Sequence, residues 1–325
     1  MATDELALDR EEAVDEGATA DAVTQSEPAG GDAPRESDDG GDGEPPHRTD
    51  WWGEVKGIFW LVIAVLGFHT LIAKPFYIPS ESMLPGLRIG DRLIVTKYPY
   101  GYSFISPTFH VLPFIPGRLL GSMPERGDVV ILTPPGKETD YIKRVIGLPG
   151  EIIEGRGGTV YINGEPIQRT AEGPRMIQVD ENTRCAPDQY PGRRIEWDDG
   201  RLYCRLPVYR ETLPGGRSYE TVDLGRTVAD DFGPIAIPKG HVFLMGDNRD
   251  NSADSRFSLN EGGLGGPVPW ENIGGRAEFI TFSLNGTETW NPTSWPGAFR
   301  SGRAGKTLHP SPGERVSGDD DTVTR

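Results

Sequence analysis

Ser80 and Ser82 stand two residues apart in the segment Phe76-Tyr77-Ile78-Pro79-Ser80-Glu81-Ser82-Met83-Leu84-Pro85-Gly86-Leu87. In extended chain, residues two apart project to one side. One hydroxyl can then attack a carbonyl while the other helps to bind the oxyanion. Serines bracketed by prolines serve as readily in turns or helix caps. A second segment, Tyr141-Ile142-Lys143-Arg144-Val145-Ile146-Gly147-Leu148-Pro149-Gly150, carries a lysine among apolar residues. As a strand, it would put Tyr141, Lys143 and Val145 on one face. Desolvation there disfavours ammonium and lowers the lysine pKa, which is what a lysine general base needs. A lysine on a strand also snorkels to solvent or pairs with a carboxylate. The third segment, Gly246-Asp247-Asn248-Arg249-Asp250-Asn251-Ser252-Ala253-Asp254-Ser255-Arg256, is polar and follows directly on an apolar run. It reads as a solvated loop. EF-hand spacing fails, because Arg249 stands where a calcium ligand is required.

Other hydrolytic chemistries lack their residues. Of five histidines, His47 and His309 lie in polar tails and His69 in an apolar run, leaving His110 and His241. There is no Gly-x-Ser-x-Gly elbow, so a Ser-His-Asp hydrolase is poorly supported. His-Glu-x-x-His is absent as well, so a zinc protease is unsupported. Cys185 and Cys204 belong to no Cys-x-x-Cys or Cys/His cluster, which argues against structural zinc. No metal and no cofactor is expected.

The elements that must position these residues start with an uncharged stretch at 57–73. It is just long enough to cross a bilayer as a helix. Trp51, Trp52, Trp60, Lys56 and Lys74 supply interfacial anchors around it. Short β-branched or aromatic runs predict strands at 129–133, 141–146, 159–162, 203–209, 241–245 and 277–282. Asn163-Gly164 predicts a hairpin turn. The uncharged run 98–117 holds four prolines and two glycines, which exclude a spanning helix. It reads either as an aromatic loop on the core or as a surface dipping into the membrane interface.

Net charge is −16, but residues 1–50 carry 16 acidic residues against three arginines, or −13, leaving −3 for residues 51–325. Such a tail, almost free of large apolar residues, is expected to be disordered. With no basic stripe, nucleic acid is not an expected partner. Gly and Pro make up about a fifth of the chain (43 and 29 of 325), which suits a turn-rich β body. The expected organisation is mainly β: a disordered acidic tail (1–50), a transmembrane anchor (51–75), an antiparallel β core (76–154 and 238–300), an inserted β-rich subdomain (155–237) and a frayed polar tail (301–325).

In order, Pro-Ser-x-Ser-Met after an apolar helix, Arg-Gly-Asp-Val-Val at 126–130, Tyr-Ile-Lys-Arg-Val-Ile-Gly-Leu-Pro-Gly at 141–150 and Gly-Asp-Asn-Arg-Asp-Asn-Ser-Ala-Asp-Ser-Arg at 246–256 resemble the bacterial type I signal peptidases. The resemblance covers roughly residues 57 to 285, more loosely in the insert. It implies Ser82 as nucleophile and Lys143 as general base. It implies an oxyanion hole from the Ser80 hydroxyl and the Ser82 backbone N–H. Ser252 would hydrogen-bond and orient the lysine, with Asp254 and Arg256 as a supporting ion pair. Ile78, Met83, Leu87, Tyr141 and Ile142 match positions that line shallow substrate pockets. The implied substrates are signal peptides of exported preproteins, cut after small-x-small sites. The implied location is the plasma membrane of a bacterium, with one pass, a cytoplasmic N-terminus and an extracytoplasmic catalytic body in contact with the lipid bilayer.

The chain departs from the family pattern in its long acidic tail, in its single visible spanning helix, and at Glu81. There a carboxylate stands where glycine or another small residue is usual, and it is expected to point to solvent. An extracytoplasmic body would permit a Cys185–Cys204 disulfide; two free thiols are the alternative. The rival functions are a self-cleaving Ser/Lys protease of the same fold and a non-catalytic extracytoplasmic binding domain. The former needs a DNA-binding domain and no membrane helix. The latter would most simply have lost Ser82 or Lys143.

Overall fold

The computed structural model describes residues 50–102 and 117–312. The expected disordered tail up to residue 49, residues 103–116 of the aromatic run and residues 313–325 lie outside the described residues. The helix α1 (Trp51–Leu71) takes in most of the apolar stretch. Its 21 residues rise about 31 Å at 1.5 Å each, the thickness of a hydrocarbon core. Trp51–His69 is long and apolar enough to cross a membrane, and none of it is buried against the protein. Trp51 and Trp52 form the first turn of the helix rather than flanking it. The helix stops short of Ala73 because Lys74 precedes Pro75, and a residue before proline is pushed toward extended backbone.

The rest of the described chain is mainly antiparallel β. After α1 come β1 (Ala73–Tyr77), β2 (Asp91–Thr96), β3 (Val129–Leu132) and β4 (Tyr141–Gly147). Next are β5 (Ile152–Arg156), β6 (Thr159–Ile162), β7 (Glu165–Pro166), β8 (Gln168–Gln178) and β9 (Arg194–Glu196). Then follow β10 (Leu202–Thr212), β11 (Arg217–Val222), β12 (Phe232–Ala236), β13 (His241–Met245), β14 (Val268–Pro269) and β15 (Ile273–Ser283). The short helix α2 (Trp295–Ala298) and β16 (Ser311–Pro312) end the described chain. A seven-stranded sheet runs in the order β1-β2-β15-β3-β4-β13-β14, a five-stranded one holds β16-β11-β10-β8 with β9 on β10, and a four-stranded one runs β12-β5-β6-β7.

All six strands read from the sequence are present, as β3, β4, β6, β10, β13 and β15. Among the others, β8 is the wettest of the long strands. In β8, Gln-Arg-Thr-Ala-Glu-Gly-Pro-Arg-Met-Ile-Gln, only Ile177 is buried, so no apolar alternation marks it. The boundary expected at 155 falls inside β5. Residues 301–312, expected to fray, pack back instead: buried Arg303 pairs with buried Asp91, and β16 extends the sheet at β11.

Strand β4 is the spine of the molecule. Ile142 joins one core with Ile78, Met83, Leu87 and Leu93. Val145 joins another with Val130, Leu132 and Leu244, and Ile146 a third with Ile153, Phe243 and Met245. A strand packed on both faces and paired on both edges holds its side chains in fixed positions. A fourth core, Ile177, Tyr190, Leu206, Val208 and Val222, closes around the disulfide between Cys185 and Cys204. It also takes in Leu84, two residues past Ser82, so the insert packs directly against the segment that carries the serines.

The disulfide spans 19 positions of sequence, and a loop of that size contributes about 3 kcal/mol by restricting the unfolded chain. Replacing both cysteines with alanine should lower the unfolding free energy by about 3 kcal/mol, read as a shift of the denaturant midpoint. An unchanged midpoint would mean that packing alone holds the loop.

Candidate active site

The serines sit where β1 ends and the chain turns back to β2. The Ile78 N–H donates to the Asp91 carbonyl at 3.0 Å, and Gly90 N–H to the Ile78 carbonyl at 3.1 Å. Between these ties the chain curls: Leu84 N–H donates to the Glu81 carbonyl and Leu87 N–H to that of Met83. Ser82 therefore opens a turn rather than continuing an extended run, yet the two hydroxyls stay together, with their Oγ atoms 3.3 Å apart. Ser80 is exposed and Ser82 buried.

Lys143 projects from β4 and its Nζ donates to Ser82 Oγ at 3.0 Å. Its side chain is enclosed, at 4 % exposure, and Nζ lies 5.7 Å from the centre of the Tyr141 ring on the same strand face. Burial pulls the Lys143 pKa down to about 8, although the carboxylates of Asp254 and Asp247 pull it up. Arg144, one residue on, faces the other way. It grips Asp247 with two bonds, Nε to Oδ1 at 2.7 Å and NH2 to Oδ2 at 2.6 Å, and donates to the Gly127 carbonyl at 2.7 Å.

The polar segment that follows β13 is buried rather than a solvated loop. Asp254 is fully buried; its Oδ2 accepts from Gly246 N–H at 3.0 Å, and Arg256 holds both of its oxygens at 2.9 Å. Burial pushes this carboxyl up, but Arg256, the Gly246 N–H and Lys143 together outweigh it and keep the group below the usual range. Asn248 N–H donates to the Ser82 carbonyl at 3.0 Å, which ties the segment to the serine turn. Arg249 reaches into the insert and pairs with buried Glu211, which also accepts from the Tyr219 hydroxyl at 2.8 Å. Gly246 has no room for a side chain. A Cβ there would lie 2.2 Å from Ser252 Oγ and 2.6 Å from the Ser82 carbonyl oxygen.

A cleft of about 530 Å³ opens on the contact between Ser82 and Lys143, with Phe76, Pro79, Tyr141, Ile142, Asn251 and Phe257 among its walls. Two of the five expected pocket residues, Tyr141 and Ile142, line it. Ile78, Met83 and Leu87 do not; they sit in the core behind it at 1 % exposure or less, Met83 and Leu87 because the turn directs them inward. Ser252 lines the cleft, but its buried hydroxyl makes no hydrogen bond, so the expected bond to Lys143 is not formed. Glu81 does not point to solvent. It is half-buried and bonded to the Tyr190 hydroxyl; burial pushes its carboxyl up and the Tyr190 bond opposes that. It is not among the charges acting on Lys143. Sequence reading missed Phe76, Phe257 and the partnership of Arg144 with Asp247. Phe76 could be found by its place beside the serines, whereas the ion pair joins residues about a hundred positions apart.

Neither His241 nor His309 touches a serine: their rings meet the Lys239 carbonyl and Glu278. Among the described residues, no three His, Cys, Asp or Glu side chains are grouped to hold a metal.

An enclosed lysine on a serine hydroxyl, at the wall of an open cleft in an antiparallel β body, has the construction of a serine hydrolase. A family model described as signal peptidase, peptidase S26, matches residues 51–282. Signal peptidase I of Rickettsia bellii (strain OSU 85-389) is 36 % identical over 239 residues, covering 71 % of this chain and 73 % of the relative. Signal peptidase I of Rickettsia akari (strain Hartford) is 36 % identical over 245 residues, covering 73 % and 80 %. A solved signal peptidase I from Enterococcus faecalis V583 is 24 % identical, covers 48 % of this chain and 97 % of that chain, and has a TM-score of 0.24, too low to carry a structural argument. The chain belongs to the signal peptidase family, peptidase S26, and is a serine endopeptidase.

The Gly246→Ala variant tests the packing of this site. Its methyl group must displace Ser252 or the Ser82 carbonyl, and misplacement by about 1 Å costs on the order of 10²-fold in rate. The expected outcome is a loss of peptidase activity on that scale in protein that still unfolds cooperatively. Full activity would show that the segment yields without moving Ser82.

Proposed function

We propose that this chain removes signal peptides from exported preproteins at a bacterial membrane, with Ser82 as nucleophile and Lys143 as general base, cutting after small-x-small sites. The observation that carries this reading is the 3.0 Å contact between Ser82 Oγ and Lys143 Nζ inside a dry wall. A neutral Nζ takes the Ser82 proton as Oγ attacks the scissile carbonyl carbon. The carbonyl oxygen becomes an oxyanion facing the Ser80 hydroxyl and the Ser82 backbone N–H. One such donor is worth about 3–4 kcal/mol. The lysine ammonium then returns its proton to the leaving amine, and an acyl ester remains on Ser82. Water, deprotonated by the same amine, hydrolyses that ester and the proton goes back to Ser82.

Apolar walls at Phe76, Tyr141 and Ile142 suit small apolar residues on the acyl side. The Cys185–Cys204 disulfide supports an oxidising, extracytoplasmic setting for the body, with a single pass by α1 and a cytoplasmic N-terminus. Exposed Trp290, Trp295 and Phe299 favour contact with a lipid surface. Arg256 acts by holding Asp254, which in turn fixes Gly246 beside the serines.

The test is kcat/KM on a preprotein with an Ala-x-Ala site, across pH, for wild type and Lys143→Ala in detergent. The base must be neutral to accept a proton, so activity should fall as pH drops through about 8 and level off above it. Removal of the base should cost about 10³-fold or more. A folded Lys143→Ala that cuts as fast as wild type would remove Lys143 from the mechanism. A wild type that never cuts, where a known signal peptidase does, would overturn the function.

A further inference from the structure

The turn bearing Ser80 and Ser82 is flanked by two cavities. The second, about 520 Å³, shares Pro79, Ser80, Ser82 and Asn251 with the cleft but none of Tyr141, Ile142 or Lys143. Glu81 lines it, together with the insert loop carrying Cys185. A peptide crossing Ser82 must leave on the side opposite to the one it enters. With the cleft walled by Phe76, Tyr141 and Ile142 on the acyl side, the second cavity receives the chain beyond the scissile bond.

That cavity presents a carboxylate, Glu81, directly beside Ser80 and Ser82. Tyr190 Oη accepts amide N–H bonds from Asn248 at 3.0 Å and Asn251 at 3.1 Å, so its own proton turns to the Glu81 carboxylate. Tyr190 itself is locked in the insert core. Glu81 thus has a fixed position, and among the described residues it forms no ion pair. The cavity's other charged walls are Glu181 and Arg184, which face each other at 3.8 Å. A half-buried carboxylate without a counter-ion, beside the nucleophile, is a place for a substrate cation.

We propose that Glu81 is a specificity-determining residue for the leaving side of the scissile bond, favouring a lysine or arginine immediately after the cut. The proposal rests on Ser82 being the nucleophile.

Three peptides with one small-x-small site and lysine, alanine or glutamate just after it are compared on the full detergent-solubilised chain. The expected wild-type kcat/KM ratio of the lysine to the glutamate peptide is about tenfold. It should fall toward one in Glu81→Gln and reverse in Glu81→Lys. A ratio of two substrates on one protein does not depend on how much of it is folded, and a reversal cannot come from damage. If wild type cuts the alanine peptide and the ratio is the same in all three proteins, the role of Glu81 is overturned while the nucleophile stands. If no peptide is cut, the nucleophile assignment falls and the proposal with it.

Discussion

Keeping one lysine amine out of water is the constraint around which this molecule is built. An ammonium loses hydration when enclosed, so burial favours the neutral form. Two carboxylates, Asp254 and Asp247, oppose that by favouring the charged form. Each is neutralised by an arginine of its own: Arg256 on Asp254 and Arg144 on Asp247. Without those partners, the acids would hold the lysine protonated, and a protonated lysine cannot take the Ser82 proton. Arg256 also acts directly, lowering the lysine pKa by repulsion. On the proposed mechanism the arginines preserve a base rather than adding stability, in keeping with the modest net worth of buried ion pairs.

Rigidity follows from the same need. Lys143 has to meet Ser82 at hydrogen-bond distance, although 61 positions of sequence separate them. β4 is fixed by cores on both faces, and the serine turn is fixed by the Ile78 and Asn248 hydrogen bonds and by Leu84 in the insert core. Gly246 lets the segment after β13 come within van der Waals contact of that turn. The insert is therefore part of the support of the site: Tyr190 and Glu211 bind residues of the 246–256 segment directly.

The residues that meet at the centre could be named in the sequence only through their motifs taken together. A lysine in the apolar string Tyr-Ile-Lys-Arg-Val-Ile, or a serine pair after an apolar helix, has a bland reading alone; the order of the three segments is what singles them out. Strands buried on both faces, such as β3 and β13, were plain from their apolar runs. What failed to show depends on which way a turn faces. Ile78, Met83 and Leu87 match pocket positions by motif, but the curl at Glu81–Leu87 sends the latter two into the core, which Ile78 already enters just past the end of β1. Glu81 reads as a solvent-facing acid until Tyr190, more than a hundred residues later, is brought beside it. Strand β8 hides because its exposed faces erase the alternation. The packed stretch 301–312 hides because its buried anchors, Arg303 and Leu308, stand apart among exposed residues.

The most direct measurement is the titration of the Lys143 amine itself, by NMR of protein carrying labelled lysine, with the resonance assigned by its absence from Lys143→Ala. A midpoint near 8 is the value expected of an amine kept neutral by burial and ready to accept the Ser82 proton. A midpoint at the ordinary lysine value of 10.5 would mean that Asp254 and Asp247 prevail over burial, and it would contradict Lys143 as the base.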